Sequence, residues 1–428
     1  MNTISKQRAV WIFLVFAFAY FISTLIRAIT ATLSPILIQD FGLSPQDLGL
    51  LAGAYFLGFS LTQLPLGAWL DKMGPKKVVL SFMSVAVFAC IGFATAYSFQ
   101  LLWLARFLVG VGVSACLMGP LTAYRKWFDP SNQMRANSWM LMTGALGMVA
   151  STLPVQWLLP QIGWRPIFLI LSGLIVLAIV LIYLVVPKWP EKTINPESVA
   201  ETPIEKMGYS QILKHPYFIK NIPLGLFVYG GLVAIQTLWA VPWMIKVAAY
   251  TPIEASTGLF WLNVSMLLTF WLWGLVGPKL AQKGITAVQI ISYGLPLSFV
   301  TLATIVFTAG QTHIIGIPIW VYWTLYCVFC TSISSAQPAI AMAFPSEVAG
   351  RALSAYNLTI FFGVFVVQWG VGLLIDLFSQ MELSVVDSYS LAIGIYGAIG
   401  VFAFFQLLKD FSINGFTWSN FTSPTITK

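Results

Sequence analysis

About a dozen long apolar stretches constrain the fold of this chain more than any other feature. The 428 residues are 58% hydrophobic and only 8% charged, whereas globular proteins carry roughly 25% charged residues. A helix needs roughly 20 apolar residues to cross a bilayer, and a helix satisfies all of its backbone hydrogen bonds there. No ten-residue alternation indicates a transmembrane barrel. The sequence therefore predicts an all-α polytopic membrane protein.

Twelve membrane spans are predicted. They lie approximately at residues 10–38, 48–70, 78–97, 100–124, 136–159, 166–187, 221–244, 256–276, 285–309, 314–341, 352–375 and 388–408. The first span follows two basic residues, but it is too long for a signal peptide and lacks a cleavage site. We therefore interpret it as an uncleaved helix.

The longest polar interruption, roughly 188–220, separates six spans from six. It is rich in Pro, Glu and Lys, a composition typical of a solvated linker. Its end, near 209–218, suggests a short interfacial helix. The predicted domains are an N-terminal six-helix bundle (1–187), a cytoplasmic linker (188–220), a C-terminal six-helix bundle (221–410) and a cytoplasmic tail (411–428).

The basic residues predict the orientation. With the N-terminus in the cytoplasm, all but four of the 22 Lys and Arg residues fall on the cytoplasmic side. Arg165 and Lys246 fall outside, and Arg27 and Arg106 lie within spans. This asymmetry follows the positive-inside rule. The net charge of +8 is therefore explained by the orientation of the chain in the membrane and gives no support for nucleic-acid binding. We expect a multi-pass protein of the cytoplasmic (inner) membrane with both termini in the cytoplasm.

Two loop patterns recur in the two halves. The stretch Gly67–Lys77, GAWLDKMGPKK, shares its glycine-punctuated skeleton with GPKLAQKG, which begins 210 positions later at Gly277. A second pattern recurs at an offset of 216, in the loop after the fourth span of each half. It comprises Phe128, Arg135, Ser138 and Gly147, matched by Phe344, Arg351, Ser354 and Gly363. The halves are therefore predicted to be duplicated bundles, and duplicated bundles are typical of transporters.

The motifs resemble those of a known family. Gly67–Lys77 resembles the signature loop of the major facilitator superfamily, Gly-x-x-x-Asp-Arg/Lys-x-Gly-Arg-Arg/Lys, with Pro75 in place of an arginine. The segment RFLVGVG, from Arg106 to Gly112, resembles the family's fourth-helix motif, and Gly163-Trp164-Arg165 resembles the start of its sixth helix. Together with the twelve spans, the linker and the repeat, these motifs make nearly the whole chain similar to a transporter of this superfamily.

The resemblance implies a mechanism and a set of gating residues. In the family, two six-helix halves rock about a central site, and charges of the signature loop latch the cytoplasmic side. Asp71 is then expected to face a helix N-terminus of the other half. For the lysines, topology is the alternative role, and for Arg106 it is helix packing. The predicted gating or conformational residues are Gly67, Asp71, Lys72, Gly74, Lys76, Arg106, Gly110, Arg135 and Arg351.

Arg27 is the charged residue predicted to lie near the middle of the membrane. It sits 17 residues into the first span, roughly 25 Å along a helix that rises 1.5 Å per residue. A buried arginine faces a cavity or a partner, and its guanidinium suits a carboxylate or a phosphate. All 14 acidic residues and both histidines fall in loops or at span ends. The natural counter-ion is therefore a substrate anion, and backbone carbonyls with water are the alternative.

Other polar residues within the spans complete the predicted binding site. Tyr20 and Ser23 share a helix face with Arg27. In the second half we select Gln236, Trp239, Asn263, Tyr326 and Asn357. An amide facing lipid is costly, which favours a cavity for Gln236, Asn263 and Asn357, whereas packing is the alternative for the aromatic residues. Cys327 and Cys330 lie in an apolar span, where thiols behave as small hydrophobic groups, so we expect no metal and no cofactor.

These features predict a secondary active or facilitative transporter that moves a small organic anion, a carboxylate or phosphate ester, by rocker-switch alternating access. One alternative is a transporter or exporter of neutral, zwitterionic or amphipathic solutes, including drugs. A non-transporting membrane sensor is another. An enzyme is not expected, because two histidines outside the spans do not supply a catalytic pair. The expected partners are the solute and membrane lipid, with a functional monomer as the family implies.

Overall fold

The computed structural model describes residues 5–188 and 208–413, and nearly all of this part of the chain is helical. The helices of the first half follow one another with short connections. They are α1 (Lys6–Phe41), α2 (Pro45–Leu61), α3 (Gln63–Ala94), α4 (Phe99–Val113), α5 (Ala115–Trp127), α6 (Pro130–Ala150), α7 (Leu153–Ile162) and α8 (Trp164–Val185).

The second half is less regular. Two short helices, α9 (Tyr209–Lys214) and α10 (Pro216–Pro223), precede a stretch in which π1 (Leu224–Tyr229), α11 (Gly230–Ala234), π2 (Ile235–Trp239) and α12 (Ala240–Lys246) alternate. The π-helices have i→i+5 hydrogen bonds and are frequent at functional sites. The remaining elements are α13 (Pro252–Gln282), α14 (Ala287–Phe307), β1 (His313–Ile314), β2 (Ile317–Pro318), α15 (Ile319–Cys330), a 3₁₀ helix (Thr331–Ser335), α16 (Ala336–Met342), α17 (Ser346–Gln380) and α18 (Val385–Ile413).

Capping residues set the start of several helices. Ser44, Thr251 and Thr286 each accept a backbone N–H three residues later, and the side chain of that residue bonds back to the cap. This reciprocal pattern satisfies backbone donors that a helix start otherwise leaves without partners. Proline in the first turn of α2 and of α13 further favours the start.

The described part of the chain contains ten helices that are long and apolar enough to cross a membrane, or eleven if the bent pair Arg135–Ala150 and Leu153–Ile162 counts as one span. The count is one short of the twelve predicted spans because α3 is counted as a single span and α2 is not counted. These two helices cover the second and third predicted spans. Gly74, with φ 78°, interrupts α3, so α2 and the first part of α3 correspond to the second span and the rest of α3 to the third. The all-α polytopic fold is confirmed, and the helix order is consistent with twelve spans.

Several predicted boundaries need correction. The tenth span begins at Ile319 rather than at 314, because residues 313–318 form a β-hairpin that turns through Ile315 and Gly316, both with positive φ. The predicted linker at 188–220 already includes α9 and the beginning of α10. The predicted short helix at 209–218 ends at Lys214, and residues 189–207 lie outside the described residues. Helix α18 runs to Ile413, and the rest of the predicted tail also lies outside them.

The two halves contact each other closely at one end. Helix α1 packs against π2 and α12, α6 and α7 pack against α13, and α2 packs against α17. The charge distribution predicts this end to be external. Glycines let α2 and α17 approach, because a methyl group on Gly49 would overlap the backbone of Gln368 and one on Gly372 would overlap Pro45. We call the contact formed by Pro45, Gln46, Gly49, Gln368, Gly372 and Asp376 the outer closure.

Candidate functional site

Arg27 lies on α1 where the two halves meet. Its guanidinium carbon is 5.3 Å from the ring centroid of Phe59, on α2, and 5.5 Å from that of Phe361, on α17. The two rings also contact each other, with 4.5 Å between their centroids. A guanidinium is attracted to the face of an aromatic ring at such distances. One cation is therefore held by an aromatic side chain from each half.

The hydrogen-bonding capacity around Arg27 is only partly used. The Arg27 Nε, the Ser23 Oγ and the Tyr55 hydroxyl are buried and have no hydrogen-bond partner within the described residues. The hydroxyls of Tyr20 and Tyr55 lie near the guanidinium. Across residues 5–188 and 208–413, no carboxylate forms an ion pair with Arg27. A buried polar group without a partner costs about 1–3 kcal/mol, so this cluster is suited to receive an anion.

Arg106 has a different environment from Arg27. Its side chain is 1% exposed, and its two terminal nitrogens donate to the backbone carbonyls of Ile26 (2.9 Å) and Arg27 (3.1 Å). Its guanidinium also lies 4.9 Å from the Tyr55 ring centroid. Arg106 on α4 thereby holds the backbone of α1 at the position that carries Arg27. These contacts favour the packing role over direct contact with a substrate.

A chain of polar side chains lines the second half near Arg27. The Tyr229 hydroxyl donates to Gln337 Oε1 (3.2 Å), and Gln337 Nε2 donates to Asn357 Oδ1 (2.7 Å). All three side chains are half-buried, and Tyr229 lies near both Tyr20 and Arg27. Asn357 lies one helical turn before Phe361, on the same face of α17. We call Tyr229, Gln337 and Asn357 the polar chain.

Sequence reasoning selected Asn357 but missed Gln337. Gln337 follows the 3₁₀ helix Thr331–Ser335, in a stretch of small residues without helical periodicity. The one sequence feature that could have identified Gln337 is that an amide within an apolar span is unfavourable unless it faces a cavity or a partner. The same argument selected Asn357. Tyr229 carried no comparable signal, because the chain is 15% aromatic.

The other predicted binding residues of the second half pair within that half. Gln236 Nε2 donates to Asn263 Oδ1 (2.7 Å), which joins π2 to α13. Trp239 Nε1 donates to the Gln368 carbonyl (3.2 Å), and the Tyr326 and Tyr396 hydroxyls lie 2.6 Å apart. Tyr20 and Ser23 share the Arg27 face of α1, and Asn357 lies one turn from Phe361, which contacts Arg27. The remaining four predicted residues bond within the second half: Gln236, Trp239, Asn263 and Tyr326.

Within the described residues, the side-chain hydrogen bonds of the signature loop come from Lys76 and stay within the first half. Lys76 Nζ donates to the carbonyls of Tyr183 (2.7 Å) and Val186 (2.6 Å) at the end of α8. A cation stabilises a helix C-terminus, so Lys76 joins α3 to α8. Asp71 and Lys72 are exposed, and their gating role stays a prediction.

The predicted gating glycines and the two loop arginines have distinct surroundings. Gly74 adopts a positive φ that disfavours a side chain. A methyl group on Gly110 would overlap the Tyr55 carbonyl, whereas one on Gly67 would have open space. Arg135 on α6 is exposed and Arg351 on α17 is half-buried.

Helix α9 bridges the two halves near the signature loop. The Tyr209 hydroxyl donates to the Leu64 carbonyl (3.3 Å) on α3. Partial burial raises the pKa of Tyr209, and the charge of Arg351 opposes this effect while Asp71 adds to it. Tyr209 therefore lies near a predicted gating residue of each half, Arg351 and Asp71.

The described residues contain no group of three or more His, Cys, Asp or Glu side chains that could hold a metal ion. Cys327 and Cys330 are buried free thiols. The chemistry of the site is therefore that of the arginine, the hydroxyls, the amides and the aromatic rings.

The chain matches, over residues 16–367, the model of a family described as the Major Facilitator Superfamily. It belongs to this superfamily. The resemblance predicted from the loop motifs is confirmed, and the family and the curated relatives are transporters rather than enzymes.

Curated relatives align with part of the chain. A 4-hydroxybenzoate transporter, PcaK, of Acinetobacter baylyi is 29% identical over 189 residues, which are 43% of this chain and 41% of the relative. A probable sulfoacetate transporter, SauU, of Cupriavidus necator is 27% identical over 155 residues, 36% of each chain. A gallate transporter of Pseudomonas putida is 28% identical over 154 residues, 36% of this chain and 34% of the relative. The chain spans about two fifths or less of the length of these relatives.

Solved structures share the fold over nearly the whole chain. A bacterial homologue of the human lysosomal transporter Spinster, in an inward-facing and unoccupied conformation, has a TM-score of 0.76 at 16% identity and covers 95% of this chain and 97% of its own. A D-xylose–proton symporter has a TM-score of 0.73 at 15% identity and covers 94% and 97%. At these identities the likeness supports the fold.

Proposed function

We propose that this protein transports a small organic anion, a carboxylate in particular, across the cytoplasmic membrane by alternating access of its two halves. Both termini face the cytoplasm in this proposal, and the working unit is a monomer. Arg27 binds the anionic group, and Tyr20, Ser23 and Tyr55 supply further hydrogen bonds.

The environment of Arg27 carries this proposal. A permanent cation lies between Phe59 and Phe361, one from each half, with a buried Nε that lacks a partner in the described residues. The planar guanidinium fork matches the two oxygens of a carboxylate or of a phosphate. An anion bound at this point contacts both halves, so binding of the anion can be coupled to the movement of one half relative to the other.

The names of the partial relatives favour a carboxylate or sulfonate over other anions. Those relatives are described as transporters of 4-hydroxybenzoate, sulfoacetate, gallate and niacin. The aromatic rings beside Arg27 also suit a planar aromatic acid, because aromatic groups pack favourably against one another. We therefore place aromatic carboxylates first among the candidates, ahead of phosphate esters.

A thermal-stability screen followed by flux measurements tests this function. Purified parent protein and the Arg27→Ala variant are heated with benzoate, 4-hydroxybenzoate, nicotinate, sulfoacetate and glycerol 3-phosphate. A ligand that binds the native state raises the melting temperature. In Arg27→Ala the bound anion has lost its charged partner. Losing one partner of a buried charge pair costs about 2–5 kcal/mol, so we expect this variant to bind anions at least about 30-fold more weakly than the parent. Solutes that stabilise the parent are then radiolabelled for uptake into proteoliposomes.

Arg125→Ala is the matched control, because Arg125 is an exposed arginine in the last turn of α5. We expect it to bind the same anions as the parent. Stabilisation of the parent and of Arg27→Ala by the same anions to the same extent contradicts the proposal. Stabilisation by neutral or cationic solutes in place of anions favours the alternative, a carrier of neutral or amphipathic solutes.

A further inference from the structure

We propose that Gln337 is a positioning residue that makes the wall opposite Arg27 selective for anions carrying a hydroxyl group. This inference rests on the proposed function, because it assumes that the charged end of the solute is held at Arg27. Gln337 is assigned no direct contact with the charge. It acts through Tyr229 and Asn357, which it joins.

The polar chain brings together three separate elements. Tyr229 ends π1, Gln337 lies in the first turn of α16, and Asn357 lies on α17. The amide of Gln337 bonds to both of the others, at 3.2 Å and 2.7 Å. Within the described residues it is the one side chain that links Tyr229 to Asn357. Its removal therefore frees both neighbours to rotate.

The hydrogen bonds within the polar chain determine which donors and acceptors remain for a solute. A neutral amide has one acceptor oxygen and one donor NH₂ group, and a phenol hydroxyl has one proton and acceptor lone pairs. Tyr229 uses its proton on Gln337, so its oxygen faces the solute as an acceptor. Asn357 uses its oxygen on Gln337, so its NH₂ group remains as a donor. Reversing both amides exchanges the roles of the two ends but again leaves one donor and one acceptor.

A hydroxyl group is the small substituent that matches such a pair, because it donates and accepts at once. A hydrogen atom or a methyl group in its place leaves both ends of the polar chain without a partner. Asn357 lies one turn before Phe361 on α17, and the Phe361 ring centroid is 5.5 Å from the guanidinium carbon of Arg27. Tyr229 also lies near Arg27 and Tyr20. A solute whose carboxylate binds Arg27 therefore has its other end near the polar chain.

Binding of benzoate and of its three monohydroxy isomers, measured by calorimetry on the full-length protein, tests the inference. A net hydrogen bond contributes about 0.5–1.5 kcal/mol, so two bonds give at least about fivefold tighter binding. We expect at least one hydroxylated isomer to bind the parent that much more tightly than benzoate does. In Gln337→Leu the preference should fall to about one, with the Kd of benzoate changed less than about twofold.

Tyr229→Phe is the second variant, because it removes a single hydroxyl and keeps the ring. We expect it to lower the same preference, because it removes one of the two groups that bond to the solute hydroxyl. Gln161→Leu is the matched control, since Gln161 is an exposed glutamine that bonds within its own helix. It should keep the preference of the parent.

The outcomes separate this inference from the proposed function. If benzoate binds in an Arg27-dependent way and Gln337→Leu keeps the preference for a hydroxylated isomer, the role of Gln337 is wrong and the anion site stands. Equal weakening of all four ligands in Gln337→Leu also overturns it, because a merely structural residue has that effect. If neither benzoate nor its isomers bind the parent, this inference fails, whereas the proposed function fails only if none of the anions in the stability screen binds in an Arg27-dependent way.

Discussion

At the scale of single residues, two arginines of the first half show how surroundings decide a role. Both lie within membrane spans, and both lie close to Tyr55. The terminal nitrogens of Arg106 bond to backbone carbonyls of α1. Arg27 instead has aromatic faces and hydroxyls around it. A buried cation that lacks a carboxylate is costly in a membrane, so we expect Arg27, and not Arg106, to determine which solutes bind.

Gly110 and Gly67 offer a matched test of helix packing at the residue scale. In Gly110→Ala the new methyl group overlaps the Tyr55 carbonyl, and overpacking of this kind typically costs about 1–3 kcal/mol. We expect a lower melting temperature in detergent and weaker anion binding, because Tyr55 lies beside Arg27. Gly67→Ala has open space on a helix, and alanine favours a helix interior over glycine by about 0.8–1.0 kcal/mol.

We therefore expect Gly67→Ala to melt at or above the temperature of the parent. Equal melting temperatures for the two variants would show that α2 and α4 are not in close contact at Gly110. The pair also separates two residues that the sequence motifs placed in one gating group.

Residue identity alone predicted part of the site. Arg27 was recognisable because a charged side chain within an apolar span is costly unless it faces a partner or a cavity. Gln337 was not, because its importance lies in the contact between π1, α16 and α17, which no local pattern encodes. Tyr229 shares a helix face with Gln236 and Trp239, but for an aromatic residue packing was the favoured interpretation. Lys76 shows the converse case. Its motif suggested a latch between the halves, but its bonds run to the end of α8 in the same half.

At the scale of elements, the outer closure joins a carboxylate of one half to a helix start of the other. The Gln46 backbone N–H donates to Asp376 Oδ2 (2.9 Å), and Gln46 lies in the first turn of α2. A carboxylate near a helix N-terminus is stabilising because free N–H groups and the helix dipole favour negative charge. Asp376 thus stabilises the conformation in which α2 and α17 are in contact at this end.

Replacing Asp376 is expected to open the outer closure. Hydrogen bonds to charged groups contribute about 1.5–3 kcal/mol, so Asp376→Ala should shift the population towards the open form by roughly tenfold or more. Electron–electron distance measurements between spin labels at Tyr97→Cys and Ile315→Cys report this opening. These positions are 84% and 94% exposed and lie in different halves, and the four native cysteines are buried.

Asp387→Ala is the control, because Asp387 pairs with Ser384 within its own half. We expect its distance distribution to match that of the parent. Asp376→Asn keeps an acceptor for the Gln46 N–H and should have an intermediate effect. An unchanged distribution in Asp376→Ala would mean that the glycine contacts alone hold this end closed.

Elements were predictable where a long apolar run coincided with a single helix, as in α8 and α14. The π-helices of the seventh span were not, because both helix types need the same apolar composition. The hairpin at 313–318 was missed for a similar reason. Its residues are apolar enough to extend the following span, and the turn depends on backbone angles at Ile315 and Gly316.

At the scale of the whole molecule, the duplicated pattern predicted two halves, and the structure shows how they meet. Arg27 and Phe59 come from the first half, and Phe361 and the polar chain come from the second. A sequence repeat can indicate that two bundles exist. It cannot indicate which side chains of each bundle face the other, since that depends on how the helices rotate against one another.

The position of Arg27 has a consequence for the transport cycle. To return without cargo, the protein must pass through a closed state with this charge enclosed between the halves, whereas a bound anion neutralises it. Because an unneutralised charge is costly there, the empty form should change sides more slowly than the loaded form. We therefore expect obligatory or near-obligatory exchange. Vesicles preloaded with unlabelled anion should accumulate labelled anion several times faster than empty vesicles, and equal rates would contradict this expectation. The arginine that selects the substrate would then also slow the return of the empty transporter.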